Sequence, residues 1–169
     1  MNALSTARLV GCHSVLIDRI TEWNQILAAN GVNLLIINGF RSWSTQLALW
    51  RKGRDAAGNV VDPAAVVTWA PPGHSWHEFG LAADAAPLAA SGVAIDWDDA
   101  DPTWAKLLST YAGVGLFCGK DFPPASGADG DVDHFQLVEL PLSPSDEIRQ
   151  TFIDGGVAAV WAELNLPSA

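Results

Sequence analysis

Basic residues are scarce in this chain. Nine Lys and Arg stand against 19 Asp and Glu, a net charge of −10, which leaves too few cations for a phosphate-neutralising stripe. That argues against nucleic acid or an anionic membrane surface as the main partner. Cysteine is scarcer still: Cys12 and Cys118 are the only two, with no C-x-x-C between them, so a disulfide framework and the thiolate zinc and redox motifs are ruled out. Both read as buried thiols. No apolar run approaches the roughly 20 residues of a membrane span. The opening "MNALSTARLVGCHSVLIDRI" is broken by Arg8, His13 and Asp18 and so lacks the continuous apolar core of a secretory signal peptide. Low-complexity tracts and internal repeats are missing as well.

What is present suits one compact domain, residues 1–169. Half of the residues are apolar and 17 % are charged, enough to bury a normal core at this length. Eight tryptophans are many for 169 residues, and most, including Trp23, Trp104 and Trp161, are expected to fill core. The segment "SVLIDRITEWNQILAANG" spaces Leu16, Ile20, Trp23 and Leu27 as one helix face and stops at Asn30-Gly31. "VNLLIING" reads as a buried strand, and "RSWSTQLALWRKG" as a helix capped by Ser42 or Ser44 and ended by Gly53.

Residues 54–74 carry "DAAGN", "DP" and "APPG" and form a long loop with one short strand expected at 66–68. A strand "GLAADAAP", a helix from Asp101 to Gly113, and strands in "GLFCG" and "VDHFQLVEL" follow. Two short helices, in "SPSDEIRQTFIDGG" and "GVAAVWAELN", finish the chain. Helices flanking a small, mostly antiparallel sheet make this an α+β domain.

The chemistry concentrates in "GHSWHEFGLAADAA". Ser75, His77, Gly80, Ala82 and Asp84 form S-x-H-x-x-G-x-A-x-D, and a histidine with a carboxylate are ordinary zinc ligands. The seven-residue gap fits a turn carrying His77 followed by a strand carrying Asp84, with Gly80 allowing the bend. "HE" at 77–78 does not open an H-E-x-x-H motif, because residue 81 is Leu. A third ligand has to come from His13, His74 or His134. "DGDVDHFQL" makes His134 the attractive candidate, at a strand start with Asp131 three residues before it. Three protein ligands leave one position on zinc for a water, whose proton a nearby carboxylate can take. Asp131 suits that role by its offset, with Asp129 and Asp133 as competitors. Arg41, in "NGFRSWSTQ", is the best-placed cation for a developing oxyanion.

These residues resemble the zinc peptidases of bacterial cell-wall peptide stems: D-Ala-D-Ala carboxypeptidases, dipeptidases and L-alanyl-D-glutamate endopeptidases, some of them phage endolysins. "GFRSWSTQ" is similar to the family's G-F/Y-R-S-x-x-x-Q segment. "LWRKGRD" with "VVTWAPPGHSWHEFGLAAD" is similar to its long loop and metal motif, and "DVDHFQL" to its closing D-x-x-H-F element. Order and spacing agree over about residues 15–140.

The resemblance implies a Hedgehog/DD-peptidase-like fold and one zinc ion on His77, Asp84 and His134. It makes Asp131 the general base, and it gives substrate contacts to Arg41 and Ser75, with Gln46 bracing the helix after Arg41 as part of that substrate-binding group. The wording around residues 49–54 and 67–84 points to the endopeptidase branch, which cuts between the first two stem residues. A D-Ala-D-Ala carboxypeptidase and a non-hydrolytic zinc-containing wall-peptide-binding module are the alternatives. The expected partner is the peptidoglycan stem peptide, met by a monomeric protein that stays cytoplasmic until its release to the wall.

An acidic protein approaching an anionic wall is repelled over about one Debye length, ~10 Å at 0.1 M salt. Activity on whole walls should therefore rise with added salt; a steep fall, measured as turbidity loss against ionic strength, would mean that a local basic face governs encounter instead.

Overall fold

The computed structural model describes residues 1–89, 92, 94–98, 100–123 and 130–167. Among them, helix α1 (Ala3–Arg8) and helix α2 (Ser14–Ala29) precede strand β1 (Leu34–Asn38) and helix α3 (Trp43–Trp50). Strand β2 (Ala82–Pro87), helix α4 (Pro102–Thr110), strands β3 (Leu116–Cys118) and β4 (His134–Leu137) and helix α5 (Asp146–Glu163) follow. The strands form one antiparallel sheet in the order β1-β2-β4-β3.

The helix boundaries follow from local chemistry. Ser42 accepts from the Thr45 amide to start α3, and the Asp101 carboxylate accepts from the Thr103 amide to start α4, where Pro102 needs no donor partner. His13 caps α2: its Nδ1 accepts from the Val15 amide, so Nε2 carries the hydrogen and donates to the Pro167 carbonyl at 2.9 Å. The ring is buried edge-on against Trp161, which gives His13 a structural role in tying the end of the chain to its beginning. The two terminal helices expected from sequence are present within α5 as one span broken at Gly156, whose φ of +71° no helix accommodates.

Apolar faces of α2 and α4 cover the sheet. Trp23 lies at the centre, fully buried, 4.6 Å from the Phe135 ring centroid, with its indole N–H donated to Thr110 Oγ1 at 2.8 Å. Trp76 and Trp104 are buried too, whereas Trp161 is half-buried and Trp43, Trp69 and Trp97 stay exposed. Both cysteines are buried, free thiols, and burial pushes each up to about 11.

Only three of the eight tryptophans are buried, fewer than expected, and two elements also depart from the sequence reading. Helix α1 was not anticipated; Asn2 caps it, Ser5 Oγ accepts from the Ile36 amide, and Arg8 donates to the Ile36 carbonyl. It thereby satisfies the outward polar groups of the edge strand β1. The strand expected at 66–68 is absent: that segment follows a single 3-10 turn (Pro63–Ala65) and runs along a cavity wall with no strand beside it to complete a ladder.

Removing Trp23 leaves a large void and takes away the indole donor to Thr110 Oγ1. Trp23→Ala should cost about 3–5 kcal/mol and Trp23→Phe clearly less, read as shifts in the urea unfolding midpoint.

Candidate metal centre

Sheet register brings the first part of the site together. Asp84 on β2 pairs directly with His134 on β4 and, on its other side, with Asn38 on β1. A register shift between Ile36 and Asn38 makes the second pairing possible, because it sets Asn38 rather than Ile37 opposite Asp84. Asn38, Asp84 and His134 thus form one row across three strands. His77 arrives from the 3-10 turn Trp76–Phe79 just before β2. Gly80 ends that turn with φ +66°, and a Cβ there would stand 2.6 Å from the Gly11 carbonyl oxygen, so glycine is required both for conformation and for space.

His77 Nε2 lies 3.0 Å from Asp84 Oδ1 and 3.2 Å from His134 Nδ1, and His134 Nδ1 is 3.7 Å from Asp84 Oδ1. The outer atoms fix what these inner ones are. His77 Nδ1 is 2.8 Å from the Gly39 carbonyl oxygen, which can only accept, so Nδ1 bears the hydrogen. Gln136 donates its amide to the Pro141 carbonyl, which turns its oxygen toward His134 Nε2 at 3.1 Å and makes that nitrogen the donor. In the neutral rings His77 Nε2 and His134 Nδ1 are therefore bare lone pairs facing each other and a carboxylate oxygen. The second Asp84 oxygen is occupied by Asn38 Nδ2 at 3.1 Å and Arg41 Nη2 at 3.2 Å.

Such a set calls for a cation. Tetrahedral zinc with donors at about 2.0–2.1 Å holds them roughly 3.3 Å apart, and the three observed separations bracket that spacing. Two imidazoles and one carboxylate also match zinc in donor type. Burial pushes the Asp84 carboxyl up, but the two imidazoles outweigh burial and hold it well below the usual carboxylate range. Burial lowers His134, yet its contacts with Asp84 and the Asp131 charge raise it overall.

The cluster forms part of the lining of a cavity of about 920 Å³. Arg41, His74, Ser75, Asp131 and Asp133 also line it. Asp131 is exposed, and Asp133 is pushed up to about 7 by burial, by a hydrogen bond with Asp131 and by the charges of Asp84 and Asp131. Asp129, the third carboxylate weighed from sequence, lies outside the described residues.

Arg41 is committed in two directions, to Asp84 and through Nη1 to Gln46 Oε1 at 2.9 Å. Gln46 is fully buried, with its amide nitrogen donating to the Ala70 carbonyl at 2.7 Å, so it stands behind Arg41 and outside the cavity lining. That position agrees with a brace and not with direct substrate contact. His74 is separate from the His77–Asp84–His134 group and has Nδ1 3.4 Å from the Arg149 guanidinium.

Sequence reasoning missed Asn38, Gly39, Gln136 and Glu78. Glu78 is buried, and its Oε2 accepts from the Gly73 and Ser75 amides, which fixes the loop ahead of His77. Burial pushes its carboxyl up to about 7 against the pull of those two amides. Gln136 had a signal in its spacing, two residues after His134 on the same strand face; Glu78 had one in the S-x-x-E of a capping box.

An antiparallel sheet carrying a His-Asp-His cluster at the base of a cleft defines a sheet-borne candidate metal centre. Residues 12–117 match the family model VanY, D-alanyl-D-alanine carboxypeptidase, and the chain belongs to that family. His134 lies beyond the matched span, so its place in the cluster is a finding of the fold.

The peptidoglycan L-alanyl-D-glutamate endopeptidase CwlK of Bacillus subtilis (strain 168) is 42 % identical over 103 residues, 56 % of this chain and 58 % of its own length. The chain thus spans little more than half of that relative. Among solved structures, the L-Ala D-Glu endopeptidase ChiX of Serratia marcescens superposes with a TM-score of 0.54 at 20 % identity, over 81 % of this chain and 88 % of that one. The Zn(II) complex of the vancomycin-resistance D,D-pentapeptidase VanY, from a VanB-type cassette, gives 0.57 at 17 % identity, over 88 % and 83 %. At these identities the likeness establishes the fold.

The donor geometry makes a direct test possible. Zinc titrated into the metal-free protein should bind, and His77→Ala, Asp84→Ala and His134→Ala should each abolish that binding in calorimetry. Gln136→Ala, which frees the His134 ring, should weaken it by about 10–100-fold.

Proposed function

We propose that this protein is a zinc-dependent peptidoglycan peptidase that hydrolyses stem peptides at the L-Ala–D-Glu bond, with a single ion held by His77, Asp84 and His134. The observation that carries the reading is the convergence of two lone-pair imidazole nitrogens and a carboxylate oxygen at 3.0–3.7 Å on one cavity. Membership of the VanY family supports peptidase chemistry, and the identity with CwlK supports the choice of bond. The family's name keeps removal of a terminal D-Ala as the second reading.

An ion so held supplies Lewis acidity to an attacking water and to the scissile carbonyl. The chain's own groups do the rest. Asp131, exposed on the cavity wall, accepts the proton of the attacking water and returns it to the leaving amine. Asp133 lines the same cavity beside Asp131, and burial with the neighbouring carboxylates pushes it up to about 7. Arg41 spends two of its five N–H donors on Asp84 and Gln46, which leaves others for the substrate carbonyl as it gains charge. Ser75 lines the cavity beside His77, within reach of the peptide backbone.

Mass spectrometry of purified muropeptides after digestion tests this reading. The zinc-loaded protein should release muramyl-L-Ala and a peptide beginning at D-Glu, and a chelated sample should release neither. Asp131→Ala should lower kcat by roughly 10²–10⁴-fold with zinc still bound; unchanged turnover would remove Asp131 as the base and move the role to Asp133. Loss of a single D-Ala would establish the carboxypeptidase, and no cleavage by zinc-bound protein would leave a wall-peptide-binding module.

A further inference from the structure

We propose that Trp69 forms a saccharide subsite at the mouth of the cleft, on which the muramic acid ring that carries the stem peptide stacks. The inference rests on the endopeptidase reading above. Trp69 lines the cavity and is 43 % exposed. Of the other exposed tryptophans, Trp43 is stacked on Phe152 and Trp97 on Trp104, and neither lines the cavity. Trp69 has a cation against it instead: the Arg54 guanidinium carbon lies 5.4 Å from its ring centroid and 5.0 Å from that of Trp50. Arg54 is itself fixed by donation to the Trp50 carbonyl. The indole is therefore held from one side while much of its surface stays open at a cavity wall.

The wall that bears it is tied to the candidate metal centre. Ala70, the next residue, gives its carbonyl to Gln46; Gln46 holds Arg41; Arg41 holds Asp84. The Ala70 amide also donates to Thr68 Oγ1 across Trp69, closing a local turn around it. The ring is thus pre-organised relative to the scissile position, as a specificity contact has to be.

Substrate chemistry supplies the occupant. In a peptidoglycan stem the first L-Ala is amide-linked to the lactyl ether of muramic acid. A cut on the far side of that alanine sets the pyranose only about two residue-lengths, roughly 7 Å, from the scissile bond. Its axial C–H face is apolar and matches an indole, while its hydroxyl edges remain in water. A cut at the terminal D-Ala sets the sugar about five residue-lengths, roughly 17 Å, away. The net charge of −10 removes a stacked nucleic acid base as the alternative occupant.

Two measurements test the subsite, both on zinc-loaded protein whose zinc content and unfolding midpoint match wild type. In the first, kcat/KM is compared for a muramyl-tripeptide and for the same tripeptide N-acetylated and sugar-free. Wild type should favour the muramyl substrate by about tenfold, Trp69→Ala should erase that preference, and Trp69→Tyr should keep most of it. Equal rates for wild type, or an equal fall on both substrates in Trp69→Ala, would overturn the proposal.

In the second, N-acetylmuramoyl-L-alanine is titrated calorimetrically. Binding that depends on Trp69, in a protein that proves to trim D-Ala or not to hydrolyse, keeps the subsite and sinks the endopeptidase reading. Cleavage at L-Ala–D-Glu with muramoyl-alanine bound equally by wild type and Trp69→Ala does the reverse.

Discussion

Three electron-pair donors within about 3–4 Å of one another repel unless a cation sits among them. His77 Nε2, His134 Nδ1 and Asp84 Oδ1 are held in that arrangement because each is secured from behind: by the Gly39 carbonyl, by Gln136, and by Asn38 with Arg41. Hydrogen bonds that leave the outer atoms no freedom also choose the tautomers, so in the neutral rings the lone pairs point inward. Much of the surrounding fold can be understood as what keeps those outer partners in place.

The sheet does most of this. A strand pairing moved by one residue would turn Asp84 or His134 to the opposite face, and the register shift in β1 delivers a polar Asn38, where Ile37 would otherwise stand, to the carboxylate. Around the sheet the support is layered. Gln46 links Arg41 to the wall at residues 66–71, and Glu78 gathers the amides ahead of His77. The cleft is thus lined both by the segment that Gln46 ties to Arg41 and by Phe122, Pro123, Asp131 and Asp133.

Much of this was legible in the chain. Helical periodicity and caps gave the starts of α2, α3 and α4 nearly to the residue and their ends to within about three, and the alternation of "VDHFQLVEL" gave the shorter β4. His77, Asp84 and His134 could be named from ligand type and from the wording of their motifs, and Arg41 with its helix from the G-F-R-S segment. The failures have physical reasons. The apolar run at 66–68 looks like a strand because propensity reports side-chain shape, but a strand needs a partner and none lies beside it. Helix α1 is too short to announce itself by periodicity and exists through its packing on the edge strand. Gln46, read from the motif as a brace within the substrate-binding group, is buried with both amide ends occupied.

The sequence by itself determined which residue types were available for the site and where the capped, periodic helices α2, α3 and α4 start, because caps, turns and periodicity are short-range effects of the chain on itself. Only the tertiary structure decided that Asn38, Asp84 and His134 stand in one row, that the Gln136 oxygen faces the ring it fixes, and that Trp69 is open to the cleft where Trp76 is buried. Those outcomes depend on strand register and on contacts between residues far apart in sequence, which no local pattern encodes.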